Sequence, residues 1–165
     1  MDHSFDIESK YSKQDLLDAI EQTKKELSNR YDFRGAHFEI EYVEKEHVLN
    51  VLAGNEYQLK ALIDTLLQRA SKRGIVVATF DLSLSPEKAS GEAMRQKIKL
   101  IAGISSDIAK QISKIIRDSF KKAKPQIQGE TVRVVSASID ELQAIQAMLH
   151  EVKEIKIPLQ FANYR

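Results

Sequence analysis

The chain contains no cysteine, which excludes disulfides, thiolate metal sites and a cysteine nucleophile and fits a reducing, cytoplasmic setting. No stretch approaches the roughly 20 apolar residues of a membrane span. The opening Met1-Asp2-His3-Ser4-Phe5-Asp6 has neither the basic start nor the apolar run of a secretion signal. Secretion and membrane insertion are therefore not expected. Catalytic signatures are missing as well. His3, His37, His47 and His150 are scattered without a second ligand at metal spacing, and no nucleophile elbow or paired acid–base arrangement can be assigned. These absences point to a binding protein rather than an enzyme, with no metal and no cofactor.

What is present is a globular composition. Of 165 residues, 42% are apolar and 30% charged, enough to build a core and stay soluble. The length admits one ordinary domain or two small ones. The net charge is only +1, but it divides unevenly at the one linker-like segment, Ser83-Leu84-Ser85-Pro86-Glu87-Lys88-Ala89-Ser90-Gly91. Residues 1–90 carry 12 Lys+Arg against 16 Asp+Glu, a net −4, while residues 91–165 carry 13 against 8, a net +5. An anionic partner is expected to prefer the second half.

Periodicity supplies the elements. Ser4 to Ile7 reads as a strand, followed by a helix capped at Ser12 with Leu16, Leu17, Ile20, Thr23 and Leu27 on one face. Residues 38–43 and 48–52 alternate with period two and form a hairpin. Residues 56–72 are helical up to Gly74, and 75–82 form a last strand. The same order recurs as strand 92–101, helix 106–122, strands 126–128 and 131–136, helix 138–151 and strand 159–164. This predicts an α+β chain of two ferredoxin-like βαββαβ units, each a four-stranded antiparallel sheet with both helices on one face. The expected domains are 1–88, acidic, and 89–165, basic. The two strands that precede a first helix, Ser4–Ile7 and 92–101, are interchangeable in this scheme, so exchange between the units stands as an alternative.

Seven segments in order carry a family resemblance: Ser4-Phe5-Asp6-Ile7, Tyr31-Asp32-Phe33-Arg34, Ser71-Lys72-Arg73-Gly74-Ile75, Pro125-Gln126-Ile127-Gln128-Gly129, Val132-Arg133-Val134, Asp140-Glu141-Leu142-Gln143 and Pro158-Leu159-Gln160-Phe161-Ala162-Asn163-Tyr164-Arg165. In sequence and spacing the chain resembles the bacterial YajQ family. The resemblance implies two ferredoxin-like domains similar to RNA-recognition folds and a nucleotide-binding role, in some members as receptors for cyclic di-GMP. It implies no catalytic residues.

The residues themselves suggest where an anion binds. In Met94-Arg95-Gln96-Lys97-Ile98-Lys99-Leu100, alternation sends Arg95, Lys97 and Lys99 to one face and Met94, Ile98 and Leu100 to the other. The same parity adds Gln126 and Gln128 beside a core-facing Ile127, Arg133 between Val132 and Val134, and Gln160 between Leu159 and Phe161. The expected site is thus an open cationic sheet, with Arg and Lys on phosphates and Gln amides on base edges or sugar hydroxyls. Its alternative is a solvated face whose charges keep the sheet soluble and, if strands are exchanged, help neutralise Glu39 and Glu41.

Three lesser features compete. Lys110, Lys114, Arg117 and Lys121 line one helical edge, which either faces water or tracks a phosphate backbone. Gly103-Ile104-Ser105-Ser106 either cradles a phosphate or caps a helix. Asp32-Phe33-Arg34 either orients a ligand or forms a helix-exit turn with Phe33 buried. The two strands expected at the sheet centre, 95–100 and 131–136, lack Phe and Tyr, so base stacking is not expected there; Tyr164 has open-face parity. The expected ligand is a nucleotide, with cyclic di-GMP, GTP and ATP as candidates. An RNA- or tRNA-binding protein and a protein-interaction adaptor are the alternatives.

Overall fold

A computed structural model describes residues 1–165. The elements run β1 (His3–Glu8), α1 (Lys13–Ser28), β2 (Glu39–Val43), β3 (Val48–Ala53), α2 (Glu56–Lys72), β4 (Phe80–Asp81), β5 (Glu87–Lys88), β6 (Met94–Leu100), α3 (Ser106–Ser119), β7 (Lys124–Gln128), β8 (Thr131–Ser136), α4 (Ile139–Glu151) and β9 (Gln160–Ala162). No helix is long and apolar enough to cross a membrane.

Local chemistry sets the helix ends. Ser12, Asn55, Ser105 and Ser138 each accept a first-turn backbone N–H through their side chains, satisfying donors that the helix leaves unpaired. After α2, Gly74 takes φ +90. The Gly74 N–H donates to the Ser71 carbonyl and the Ile75 N–H to the Ala70 carbonyl, both at 3.0 Å, a left-handed exit that favours glycine. The strand expected at 75–82 shrinks to Phe80–Asp81, because Val77–Thr79 forms a 3₁₀ turn.

The chain folds as two compact units, Met1–Lys10 with Ala102–Arg165, and Tyr11–Ile101. The contiguous domains 1–88 and 89–165 expected from chain order are replaced by this division. In the discontinuous unit the sheet order is β7-β8-β1-β9, all antiparallel. In the other it is β2-β3-β6-β4, with β5 also on β6. Both are the same βαββαβ sheet, with the first strand lodged between the third and fourth. In the continuous unit that place belongs to β6, which comes last in that unit's stretch of chain.

The cores follow from this pairing. Phe5 and Ile7 of β1 are fully buried against Ile112 and Ile116 of α3 and Ile145 of α4. Leu49 and Ile98, on β3 and β6, are fully buried with Leu62 and Leu66 of α2. Each sheet thus packs its apolar face under two helices and turns its polar face away from them.

The pairing also dissolves the charge contrast between the two halves of the sequence. The discontinuous unit holds 11 Lys+Arg against 10 Asp+Glu, a net +1, and Tyr11–Ile101 holds 14 of each, a net zero. The cations of β6 fall in the same unit as the acidic residues of α1, β2 and α2, so neither unit is a basic domain.

Candidate functional site

β6 positions the site. Along it Arg95, Lys97 and Lys99 are exposed while Gln96, Ile98 and Leu100 are buried, so the cations stand about 6.6 Å apart in one row on the helix-free face. The antiparallel register fixes their neighbours. Lys97 lies opposite Asn50, which lies opposite Glu41; Arg95 lies opposite Leu52, which lies opposite Glu39. Asn50 Nδ2 donates to Glu41 Oε1 at 3.0 Å, so the intermediate strand engages the carboxylate. With strands about 4.8 Å apart, β2 glutamates sit roughly 10 Å from β6 cations, a separation at which exposed charges are largely screened. Neither Lys97 nor Lys99 has a carboxylate within 4.0 Å. Lys99 acts at longer range on Asp81, whose carboxyl is held below its ordinary pKa first by the Ser83 hydrogen bonds and then by this positive charge.

A concavity of about 640 Å³ opens on this face. Asn50, Arg95, Gln96 and Lys97 line it from β3 and β6, Leu84 and Ser85 from the segment between β4 and β5, and Glu87 from β5. Its size lies within the range of ~300–1,000 Å³ common for small-ligand pockets. Glu87 Oε2 is 3.6 Å from Arg95 Nε, and both side chains are largely exposed, so this is a weak, solvent-screened contact that an incoming anion can displace. The arrangement offers two cations, an amide, a hydroxyl and an apolar Leu84 side chain: groups for a phosphate, a sugar and a flat or apolar moiety together.

The other four expected site residues belong to the four-stranded sheet. Gln126 and Gln128 are exposed on the edge strand β7, with Gln126 opposite Arg133 of β8 and Arg133 opposite Asp6 of β1. Arg133 Nε donates to Asp6 Oδ1 at 2.9 Å, and its Nη2 lies 3.4 Å from Oδ2. Asn163 Nδ2 donates to the same carboxylate at 2.9 Å. The Arg133 hydrogen bond holds the Asp6 carboxyl below the usual range against its burial. Arg133 is therefore committed to a carboxylate, unlike Lys97. Gln160 Oε1 accepts from the Lys10 backbone N–H at 2.8 Å. The parity surface read from the sequence is thus divided between two sheets, with its unpaired cations on β6.

The lesser features resolve as well. Ile127, expected in the core, shares the helix-side parity of Val132 but is 44% exposed at the sheet edge. Tyr164 loses its open-face parity. Ser4 exchanges backbone hydrogen bonds with Arg165 while Asp6 pairs with Ala162, and the extra residue, Asn163, takes φ +54. This bulge turns the following side chain over, and Tyr164 stacks on Phe5 with ring centroids 6.3 Å apart. Neither sheet presents an aromatic on its helix-free face. Ser105 Oγ accepts from the Ile108 N–H, and a Cβ on Gly103 would meet the Glu130 carboxylate at 2.7 Å. That carboxylate already brings negative charge to the Gly103 turn, which opposes a phosphate there. Asp32 is held by Arg30 at 2.8 and 3.0 Å and by the Tyr57 hydroxyl at 3.1 Å, over a buried Phe33. The helix-exit turn accounts for that segment.

The pocket residues Asn50, Leu84, Ser85, Glu87 and Gln96 escape the sequence reading. Asn50 carries a signal in hindsight, as a polar residue between Leu49 and Val51 of a strand. Leu84, Ser85 and Glu87 fall in a segment whose Ser, Pro and Gly content reads as a linker.

A family profile described as "Nucleotide-binding protein YajQ-like" matches residues 3–165. Among curated relatives, a "Nucleotide-binding protein" of Synechococcus sp. (strain JA-2-3B'a(2-13)) is 42% identical over 163 residues, covering 99% of this chain and 98% of the relative. One of Prochlorococcus marinus is 38% identical over 164 residues, with 99% and 98% covered. One of Chloroflexus aurantiacus (strain ATCC 29366 / DSM 635 / J-10-fl) is 41% identical over 165 residues, again with 99% and 98% covered.

Proposed function

The chain belongs to the YajQ-like nucleotide-binding protein family, and we propose that it binds a nucleotide, with the phosphates on Arg95 and Lys97 in the pocket of the five-stranded sheet. The observation that carries this reading is the row of exposed cations on β6, with Lys97 and Lys99 free of ion pairs, bordering a concavity of about 640 Å³. The curated relatives' names support the ligand class. Family likeness suggests cyclic di-GMP as the specific ligand, with GTP and ATP as further candidates. Asn50 and Ser85 supply hydrogen bonds to sugar or base, and Leu84 supplies apolar contact.

The protein acts in this reading by binding rather than by catalysis, and in the cytoplasm. His37 is directed to Glu39 and His47 to the Tyr11 hydroxyl, and His150 packs in a T-shaped contact with Phe161, which assigns these imidazoles local packing and hydrogen-bonding roles. Calorimetry with cyclic di-GMP, GTP and ATP tests the proposal. Micromolar or tighter binding of at least one is expected, and failure of all three at millimolar concentration overturns it.

RNA binding is favoured by a different observation. On α3 and just beyond it, Lys110, Lys114, Arg117 and Lys121 are all exposed, and none lies within 4.0 Å of a carboxylate. At a rise of about 1.5 Å per residue the three on α3 form a positive edge about 10 Å long, and Lys121 follows two residues past the helix end. Filter binding of tRNA and single-stranded RNA at two salt concentrations separates the readings, since phosphate contacts make affinity fall steeply with salt.

A further inference from the structure

The outer edge of β6 carries two short strands in place of one. β4 pairs at Leu100 and Lys99, and β5 pairs at Arg95 and Met94. Between these pairings β6 has three residues, Gln96 to Ile98, whereas the chain opposite has five, Leu82 to Pro86. The surplus pushes this segment out of the ladder as a strap. Pro86 has no N–H with which to rejoin it.

The contact that ties the strap back comes from a buried polar side chain. Gln96 is 8% exposed and has the parity of Ile98 and Leu100, on the helix side of the sheet. Its Nε2 donates to the Leu84 carbonyl at 3.0 Å. There it also borders a smaller cleft of about 270 Å³, between Leu59 and Ile63 of α2 and Leu82 and Pro86 of the strap. Leu84 and Ser85 of the same strap wall the larger pocket, which Gln96 itself also lines. A buried amide left without its partner is costly, so the Gln96 hydrogen bond and the position of the wall are coupled.

We infer that Gln96 is a positioning residue for ligand binding. From the helix side of the sheet it holds the strap whose Leu84 and Ser85 close the nucleotide pocket beside Arg95 and Lys97. The inference rests on that pocket being the binding site. An alternating strand makes this possible: Gln96 stands between Arg95 and Lys97 in sequence and reaches the strap from beneath.

The test pairs hydrogen exchange at Ser83–Ser85 in the ligand-free protein with calorimetry using GTP. Gln96→Met keeps side-chain length and removes the donor. Leu84→Gly loosens the strap without changing a buried residue, and so serves if the first variant fails to fold. For either variant, exchange at the strap is expected to rise about tenfold and the GTP Kd to weaken about tenfold, with exchange in α2 and β3 unchanged. Lys97→Glu is the reference for the site itself. If Lys97→Glu abolishes GTP binding while Gln96→Met and Leu84→Gly leave strap exchange and affinity at wild-type values, the role of Gln96 is overturned and the site stands. If the wild type binds none of GTP, cyclic di-GMP and ATP, or if Lys97→Glu does not weaken binding of the one that does bind, the site reading falls and the role of Gln96 falls with it.

Discussion

Arg133 grips Asp6 across 127 residues of sequence, with Nε 2.9 Å from Oδ1. The contact joins β8 to β1 on the helix-free side of their sheet and ties the first strand to the unit that forms from the end of the chain. It also explains why one basic residue of the expected site is spent on structure while those of β6 remain available.

Asp6→Asn is expected to destabilise the fold by about 2 kcal/mol at neutral pH, since it removes one partner of a largely buried charged pair. The folded-state pKa of Asp6 lies below its ordinary value of 3.8. Its contribution is therefore fully present above that value and is lost as pH falls through the lower, folded pKa. The stability gap between wild type and Asp6→Asn in urea titrations should start to close only as pH is taken below 3.8 and vanish once it passes the folded pKa. A gap that persists undiminished in acid would mean that the pair does not act through the carboxylate charge.

Tyr164→Ala should leave nucleotide affinity within about twofold of wild type, a change under about 0.5 kcal/mol. The ring stacks on Phe5, and Phe5 packs edge-on against Phe161 at 5.4 Å. Loss of the aromatic contact is expected to cost about 0.5 to 1 kcal/mol of stability, read by thermal melting. A large drop in affinity at unchanged melting temperature would restore Tyr164 to the ligand.

Asp32→Ala should lower the melting temperature and leave ligand binding intact. Its carboxyl is held below the ordinary value chiefly by the Arg30 hydrogen bond, with a further contribution from the Tyr57 hydroxyl. The Arg30 guanidinium also lies 5.6 Å from the Phe33 ring centre. Circular dichroism and calorimetry on one sample separate the outcomes, and lost binding with unchanged melting would contradict the structural assignment.

Much of the fold is legible from periodicity because each strand's parity separates a helix face from an open face. Arg95, Lys97 and Lys99 fall on the open side as expected, and Ile98 and Leu100 in the core. Parity does not say which sheet a strand joins. Both units offer the same vacancy between third and fourth strands, and β1 and β6 fit either pattern, so chain order and the charge split point to the wrong partner. The register of non-local partners such as Phe5 with Val134, or Lys97 with Asn50, is what decides. Parity also fails at Asn163, where one residue at positive φ reverses every later side chain. Ser83 to Gly91 reads as a linker for good reason, since a strap expelled from a ladder and a true linker share the same small and turn-forming residues.

The most direct test is a calorimetric titration of wild type and the Lys97→Glu/Lys99→Glu double variant with cyclic di-GMP and GTP, alongside thermal melting of both proteins. Both lysines are exposed, so charge reversal is expected to abolish binding at unchanged melting temperature. Wild-type affinity in the folded double variant would contradict the account and move the ligand off the β6 face.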